Sequence, residues 1–243
     1  MPHHAPTVPR LVVRYLTHHD CGLYVCPLPL AERRTGVTHL VVGPPRDQDL
    51  VQMWDDVRVL RADGIRVLAQ LDEPLARDYP ALRRYLLRHR FDGADLCLPR
   101  PAALAGRLRA DLGPGFLLTV TAPATALAGG DPDLDALCAD RRTDIAWFTA
   151  LLFDDHGTPA DYEAVVARGL VPAARLVAAF PTSPDNARAG YVPPDRLTAI
   201  VRDLLRRHPD LGGVDGWEYY NALPGGTDAP WLWAELVHAA LHP

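Results

Sequence analysis

Carboxylates lie within or directly after several short apolar runs of this sequence. Asp215 falls inside the run from Gly212 to Trp217, whereas Asp72-Glu73 and Asp154 each come directly after another run. A carboxylate that is held away from water has a raised pKa and can exchange a proton with a bound molecule as a general acid or base. The candidate catalytic residues are therefore Asp215, Glu73, Asp72 and Asp154.

Each of these carboxylates also has a structural interpretation. In a strand, side chains alternate between the two faces, so Asp215 shares a face with Trp217. A carboxylate that points into a protein core is costly unless it is paired or functional. Asp215 is thus either a general acid, a general base or a ligand anchor, or it pairs with an arginine or a backbone amide. Asp72 and Glu73 are either catalytic or part of a solvated loop ahead of Pro74.

Eight apolar runs alternate with helical patterns, which indicates successive βαβ units and a parallel sheet. With 243 residues and no low-complexity linker, the chain is predicted to be α/β, a single (β/α)8 barrel domain over residues 1–243. Such barrels carry their chemistry at the carboxyl ends of the strands. The predicted strands are Leu11–Leu16, Thr38–Gly43, Arg66–Leu71, Gly93–Leu98, Phe116–Thr121, Ile145–Phe153, Leu176–Phe180 and Gly212–Trp217.

Composition narrows the classes of partner. The net charge is −5 with both signs interspersed, so no basic footprint suggests nucleic acid. No run approaches the roughly 18 apolar residues of a membrane helix. The start of the sequence has no secretory signal pattern, so a cytoplasmic protein is expected. The expected partner is a small-molecule substrate, and the sequence does not indicate an oligomeric state.

Neither a metal nor an organic cofactor is expected. The sequence contains no Gly-rich phosphate loop. His18-His19-Asp20 has adjacent histidines that point apart, and no further His/Cys set converges on them, so no metal site is predicted. Cys21 and Cys26 could form a bridge in an oxidising compartment, but four cysteines without a C-x-x-C pair favour free thiols.

Three segments resemble sequence signatures of the family 18 glycoside hydrolases, the chitinases and endo-N-acetylglucosaminidases. Asp92-Gly93-Ala94-Asp95 is similar to the start of the fourth-strand motif Asp-Gly-x-Asp-x-Asp-x-Glu. The segment from Leu151 to Asp154 is similar to the sixth-strand Met-x-Tyr-Asp, and that from Gly212 to Trp217 to the eighth-strand Gly-Gly-x-Met-x-Trp. The order and spacing of these segments extend the resemblance over nearly the whole chain.

The resemblance also identifies what this chain lacks. Cys97 stands where the family has its third Asp, Pro99 where it has the catalytic Glu, and Phe153 where it has the Tyr that holds the acetamido group. Hydrolysis in this family is assisted by the substrate's own N-acetyl group, in contrast to the usual two-carboxylate scheme. Proline has no proton to donate, so a chitinase activity is not expected. Asp95, which is retained, is expected either to bond neighbouring strands or to take part in catalysis.

The first functional hypothesis is a repurposed, redox-neutral enzyme for a non-glycan small molecule, of the cyclase, isomerase or lyase type, in specialised-metabolite biosynthesis. The alternatives are an inactive chitinase-like lectin that binds N-acetylglucosamine-containing glycans, and a glycosidase with a relocated acid. Cys97 is considered either a nucleophile or a buried thiol that fills the barrel. The expected substrate-binding residues are Trp217, Tyr15, Asp95, Cys97, Thr149, Leu151, Phe153, Glu218, Tyr219 and Asn221.

Overall fold

The structure, a computed structural model, describes residues 8–20, 22–44, 51–140 and 144–243, and of His19 its backbone only. Eight parallel strands close into a barrel, each hydrogen-bonded to the next barrel strand along the chain, and the last pairs with the first. The predicted single (β/α)8 barrel of the α/β class is therefore confirmed. The strands are β1 Arg10–Tyr15, β2 His19–Asp20, β3 Leu23–Tyr24, β4 His39–Val42, β5 Arg66–Leu71, β6 Gly93–Leu96, β7 Leu117–Pro123, β8 Trp147–Leu151, β9 Leu176–Pro181 and β10 Gly213–Trp217.

The two-stranded antiparallel hairpin of β2 and β3 lies outside the barrel sheet. It was not predicted, and neither were three short helices in the connections. The helices are α1 Pro29–Glu32, α2 Val51–Ala62, α3 Glu73–Ala76, α4 Tyr79–Arg88, α5 Ala102–Leu112, α6 Ala124–Gly129, α7 Pro132–Ala139, α8 Pro159–Arg168, α9 Pro194–Arg207 and α10 Trp231–Leu241. The helical spacing of apolar residues from Leu50 to Leu60 predicts that α2 begins near Gln48, and that position, like Cys21, lies outside the described residues.

Apolar residues pack in two places. Inside the barrel, towards the amino ends of the strands, a small cluster contains Val12, Val41, Leu68, Trp147 and Val177. The larger cluster fills the space between the barrel and its helices. Among the described residues, no helix has both the length and the apolar character that crossing a membrane requires.

The side chain of Tyr15 in β1 does not face the inside of the barrel, as its expected contact with a ligand requires. Tyr15 belongs to the outer cluster, where its hydroxyl donates a hydrogen bond to the Val25 carbonyl at 2.8 Å. The inward residue at this end of the strand is Arg14, because it bonds side chains of three other barrel strands. Tyr15 is therefore a buried packing residue, and the prediction that its phenol faces a ligand on the inner side was wrong.

Gly93 at the start of β6 is required by the close approach of β7. A Cβ atom at this position would lie 2.5 Å from the Leu117 carbonyl oxygen, so the backbone of one strand would have to move. We expect Gly93→Ala to lower the free energy of unfolding by about 1–3 kcal/mol, as overpacking does. Gly106, inside α5, has open space around its Cβ position, so Gly106→Ala should raise that free energy by about 0.5–1 kcal/mol. Urea unfolding measures both, and a stable Gly93→Ala variant would contradict the close approach.

Candidate functional site

A fully buried arginine occupies the centre of the barrel near its carboxyl end. Arg14 Nε donates to Asp215 Oδ2 at 2.8 Å, and Nη1 donates to Asp95 Oδ2 at 3.0 Å and to Gln70 Oε1 at 2.8 Å. Nη2 donates to Thr121 Oγ1 at 2.6 Å. The side chain of Arg14 therefore connects β1 to four other strands of the barrel.

Asp95 has hydrogen-bond partners on both of its oxygens. Thr119 Oγ1 donates to Oδ1 at 2.6 Å, and Thr121 Oγ1 donates to Oδ2 at 2.9 Å beside the Arg14 contact. The structural interpretation of Asp95, bonded to neighbouring strands, matches this geometry. A carboxylate with this set of partners has little capacity left for a ligand.

The buried cluster contains one cation and two carboxylates. Burial alone would lower the pKa of Arg14, but the charges of Asp215 and Asp95 outweigh burial and raise it. For Asp215, burial raises the pKa, the Arg14 charge lowers it, and the neighbouring Asp95 raises it further. Because one guanidinium cannot neutralise two carboxylates, Asp215 takes up a proton more readily than an ordinary aspartate does.

On the barrel strands, two buried side-chain oxygens have no hydrogen-bond partner among the described residues. They are Asp215 Oδ1 and Thr149 Oγ1. The side chains of both residues are shielded from solvent, with an exposed fraction of 1% or less. Both oxygens are therefore available for a proton, a water molecule or a small bound group.

An aromatic surface covers the charged cluster. The Trp217 ring centroid lies 4.8 Å from Arg14 Cζ, which is a cation–π contact, and 5.7 Å from the Phe153 ring. Leu151, Phe153 and Ala179 form a small apolar cluster against which Trp217 packs. We call this part of the molecule, Trp217 with Phe153 and Leu151 above Arg14, the mouth of the barrel. Trp217 is only half-buried, so part of its ring can contact a ligand.

The other carboxylates proposed for catalysis make structural contacts. Glu73 is 63% exposed and is 3.7 Å from Arg77 Nη2. Asp72 is the N-cap of α3, where its Oδ1 accepts the Leu75 N–H at 3.0 Å. Asp154 Oδ1 accepts the Ala189 N–H at 2.9 Å and so connects two loops. Each carboxylate thus has a structural partner, whereas its catalytic role stays a prediction.

The residues after Trp217 were expected to bind the substrate, but two of them bond other parts of the chain. Glu218 uses both carboxylate oxygens, because Oε2 accepts from the Leu16 and Thr17 N–H groups and Oε1 accepts from the Thr17 hydroxyl. Tyr219 is buried, and its hydroxyl donates to the Cys26 carbonyl at 3.1 Å, so its expected role in substrate binding was wrong. Asn221 Oδ1 is buried without a partner among the described residues.

The residues after β6 do not all share the face of Asp95. Strand alternation from Asp95 would place Cys97 and Pro99 on the same face. The strand ends at Leu96, however, and Pro99 is exposed in the bend that follows, so this expectation was wrong for Pro99. Cys97 lies within the electrostatic reach of the charged cluster, and burial raises the pKa of its thiol to about 11. A thiol with that pKa is protonated near pH 7, which fits a packing role better than a nucleophile.

We found no arrangement suited to a metal ion. Over the described ranges, no three His, Cys, Asp or Glu side chains converge in a way that would hold one. His18 is buried, with Nε2 2.9 Å from the Tyr15 carbonyl oxygen. Cys26 is a free thiol and donates to Asp56 Oδ2 at 3.3 Å.

The sequence analysis missed the central residue, Arg14, and the partners Gln70, Thr119 and Thr121. One signal for Arg14 is present in the sequence, because it is the one charged side chain within the apolar run from Leu11 to Leu16. A charge in a strand that is buried on both faces needs an opposite charge nearby. Asp95 and Asp215, the carboxylates within two other runs, were the available partners.

Comparison with known proteins shows the class of this barrel. A fungal endo-β-N-acetylglucosaminidase from glycosyl hydrolase family 18 is 29% identical, with a TM-score of 0.87 over 98% of this chain and 99% of that chain. A chitinase from Aspergillus fumigatus is 30% identical, with a TM-score of 0.78 over 96% of this chain and 100% of that chain. The chain therefore belongs to glycoside hydrolase family 18.

The same fold occurs in a xylanase and α-amylase inhibitor protein from Scadoxus multiflorus. That protein is 14% identical, with a TM-score of 0.67 over 95% of this chain and 98% of that chain, and at this identity the likeness concerns the fold alone. No protein-family model and no curated protein sequence matches the chain.

Two threonines inside the barrel provide a test of the charged cluster. Thr119 donates to Asp95, whereas Thr149 has no partner among the described residues, and both are buried. Thr119→Val removes a hydrogen bond to a charged group and should lower the free energy of unfolding by about 1.5–3 kcal/mol. Thr149→Val removes no bond and should change that free energy by less than about 0.5 kcal/mol. Equal losses of unfolding free energy, measured with urea, would mean that Thr119 makes no hydrogen bond that Thr149 lacks.

Proposed function

We propose that this chain is a non-hydrolytic member of family 18 that binds N-acetylglucosamine-containing glycans at the mouth of the barrel. The observation that carries the proposal is the position of the Arg14, Asp95 and Asp215 cluster. These charged groups are paired with one another beneath Trp217, instead of facing a bound substrate.

The candidate acids lack what a glycosidase needs. A general acid must reach the leaving-group oxygen within hydrogen-bond distance. Asp215 is fully buried and paired with Arg14, and Glu73 is exposed and pairs with Arg77. By its resemblance to the fourth-strand motif, the position of the catalytic Glu is Pro99. A loss of the general acid removes on the order of 10²–10⁴ in rate.

The surface that remains suits binding without cleavage. Ligand sites combine an apolar, aromatic lining with a few placed polar groups, and Trp217 with Phe153 and Leu151 provides such a lining. Of the two relatives near 30% identity, one is named an endo-β-N-acetylglucosaminidase and the other a chitinase. Both names refer to glycans that contain N-acetylglucosamine, which supports the same ligand class here. Phe153 has no hydroxyl to hold an acetamido group, so we expect affinity in the millimolar range.

A second candidate is the small-molecule enzyme of cyclase, isomerase or lyase type. One observation favours it: burial raises the pKa of Asp215, and its Oδ1 has no partner among the described residues. A buried carboxyl with a raised pKa is a common feature of acid and base catalysts. In this interpretation Asp215 would donate a proton to a substrate that reaches it past Trp217.

Calorimetry with chito-oligosaccharides tests the binding proposal. Wild type should bind with a dissociation constant on the order of 1 mM, about −4 kcal/mol, without release of reducing ends. Trp217→Ala should abolish the heat of binding, because it removes the aromatic surface. Trp54→Ala is the control, since Trp54 lines a cavity with the amino-end residues Arg66 and Asp92 and should leave binding unchanged.

Two results would contradict the proposal. One is the absence of a binding heat with folded wild-type protein, which would favour the small-molecule enzyme. The other is rapid release of reducing ends, which would favour a glycosidase with a relocated acid.

A further inference from the structure

A cavity lies at the amino end of the barrel, opposite Trp217. Its volume is about 860 Å³, and it is bounded by the second half of α2, the loop after α4 and the amino ends of β5 and β6. We call it the arginine groove, because five arginines line it: Arg58, Arg61, Arg66, Arg88 and Arg90.

The positive charge of the arginine groove is largely uncompensated. Among the residues that the structure describes, Asp92 is the one carboxylate that lines it. Its oxygens already accept from Arg61 Nε at 2.9 and 3.1 Å and from the Val67 N–H at 2.9 Å. Arg58 pairs with Asp55, but both side chains are exposed, and such pairs are weak. The remaining three arginines make no ion pair or hydrogen bond through their side chains with any described residue.

A neighbouring histidine is held neutral at this end of the barrel. The pKa of His39 is lowered to about 4, first by burial and then by the charges of Arg10 and Arg66, while Asp92 acts in the opposite direction. His39 is therefore neutral near pH 7, chiefly because it is buried, and it adds no positive charge to that of the arginines.

One of the groove arginines occupies a costly backbone position. Arg90 has a φ of 54°, in the left-handed region that glycine adopts without strain. Arg90 lies in the turn that leads from α4 to β6. In the matching turn from α2 to β5, the residue with a positive φ is Gly64, with a φ of 98°. A residue with a Cβ atom is strained in this region, because the Cβ lies too close to the following carbonyl oxygen. The fold thus holds a cation at the rim of the groove where a glycine would be more stable.

The wall of the groove includes an aromatic pair. The Trp54 ring lies 3.7 Å from the His89 ring, centroid to centroid, and both residues line the cavity. The groove therefore has one rigid aromatic wall beside flexible, exposed guanidinium groups. Guanidinium forks match the oxygens of phosphate groups and bind them through two parallel N–H···O bonds.

We propose that the arginine groove binds a small ligand that carries two or more phosphate groups, with Arg66, Arg88 and Arg90 as its principal contacts. This site is independent of the glycan proposal, because it lies at the other end of the barrel and shares no residue with the mouth. It is a binding site and not a catalytic one, since barrel enzymes of this fold carry their chemistry at the carboxyl end.

Calorimetry with sodium tripolyphosphate tests the proposal, in about 100 mM NaCl so that only close charges contribute. Wild type should show saturable binding at one site. Arg66→Gln/Arg90→Gln should weaken it at least about tenfold, since the variant loses charge-assisted hydrogen bonds from two guanidinium groups to the phosphates. The matched control is Arg196→Gln/Arg202→Gln, which removes two exposed arginines from α9 and should change the affinity less than about twofold.

Either of two results would overturn the proposal: no saturable binding by wild type, or the same weakening in both double variants, which would show a general charge effect. The substituted arginines are exposed, so all variants should unfold at the same urea concentration as wild type. Binding of chito-oligosaccharides should be unchanged in every one of them, which separates this test from that of the glycan site.

Discussion

The structure depends on a single guanidinium shared between two buried carboxylates. Arg14 reaches Asp215 and Asp95 at 2.8 and 3.0 Å with all three side chains withdrawn from solvent. Removing such charges from water costs several kcal/mol per ion, and only close pairing with further hydrogen bonds offsets that cost. The threonines of β7 and Gln70 of β5 supply those bonds. These contacts hold the strands that meet at the mouth in one arrangement. The cluster as a whole then carries one more negative than positive charge.

This constraint changes the chemistry that the family 18 barrel can perform. Arg14, Asp95 and Asp215 pair with one another at the carboxyl end, and the surface above them consists mainly of Trp217, Phe153 and Leu151. Such a mouth favours holding a ligand over protonating one. The amino end has the opposite character, because three arginines of the groove have no side-chain partner among the described residues. The molecule thus combines a neutral aromatic surface at one end with a cationic groove at the other.

The sequence was sufficient for the architecture because each of the eight barrel strands coincides with an apolar run, as from Arg66 to Leu71. The sequence was not sufficient to show which side chains of β1 point into the barrel. Leu11, Val12 and Val13 are all apolar, so no alternation of polar and apolar residues distinguishes Arg14 from Tyr15. The sequence indicates that Asp215 is a buried carboxylate that needs a partner. It does not identify that partner, because residues far apart in the chain meet only when the barrel closes. The exposed position of Pro99 was not predicted, because β6 ends at Leu96 and the alternation of residues does not mark that boundary.

The central claim is that Asp215 is held as the structural partner of Arg14, and a double-mutant cycle measures this most directly. Urea unfolding would compare wild type, Arg14→Met, Asp215→Leu and the double variant. Arg14→Met leaves two buried carboxylates without a cation and should cost about 3–5 kcal/mol. Asp215→Leu leaves Arg14 paired with Asp95 but removes the acceptor of its Nε–H, and should cost about 1–3 kcal/mol. The double variant should cost less than the sum of the two by at least about 2 kcal/mol. Costs that add to within about 0.5 kcal/mol would contradict the claim, because they would mean that Asp215 and Arg14 are not held for each other.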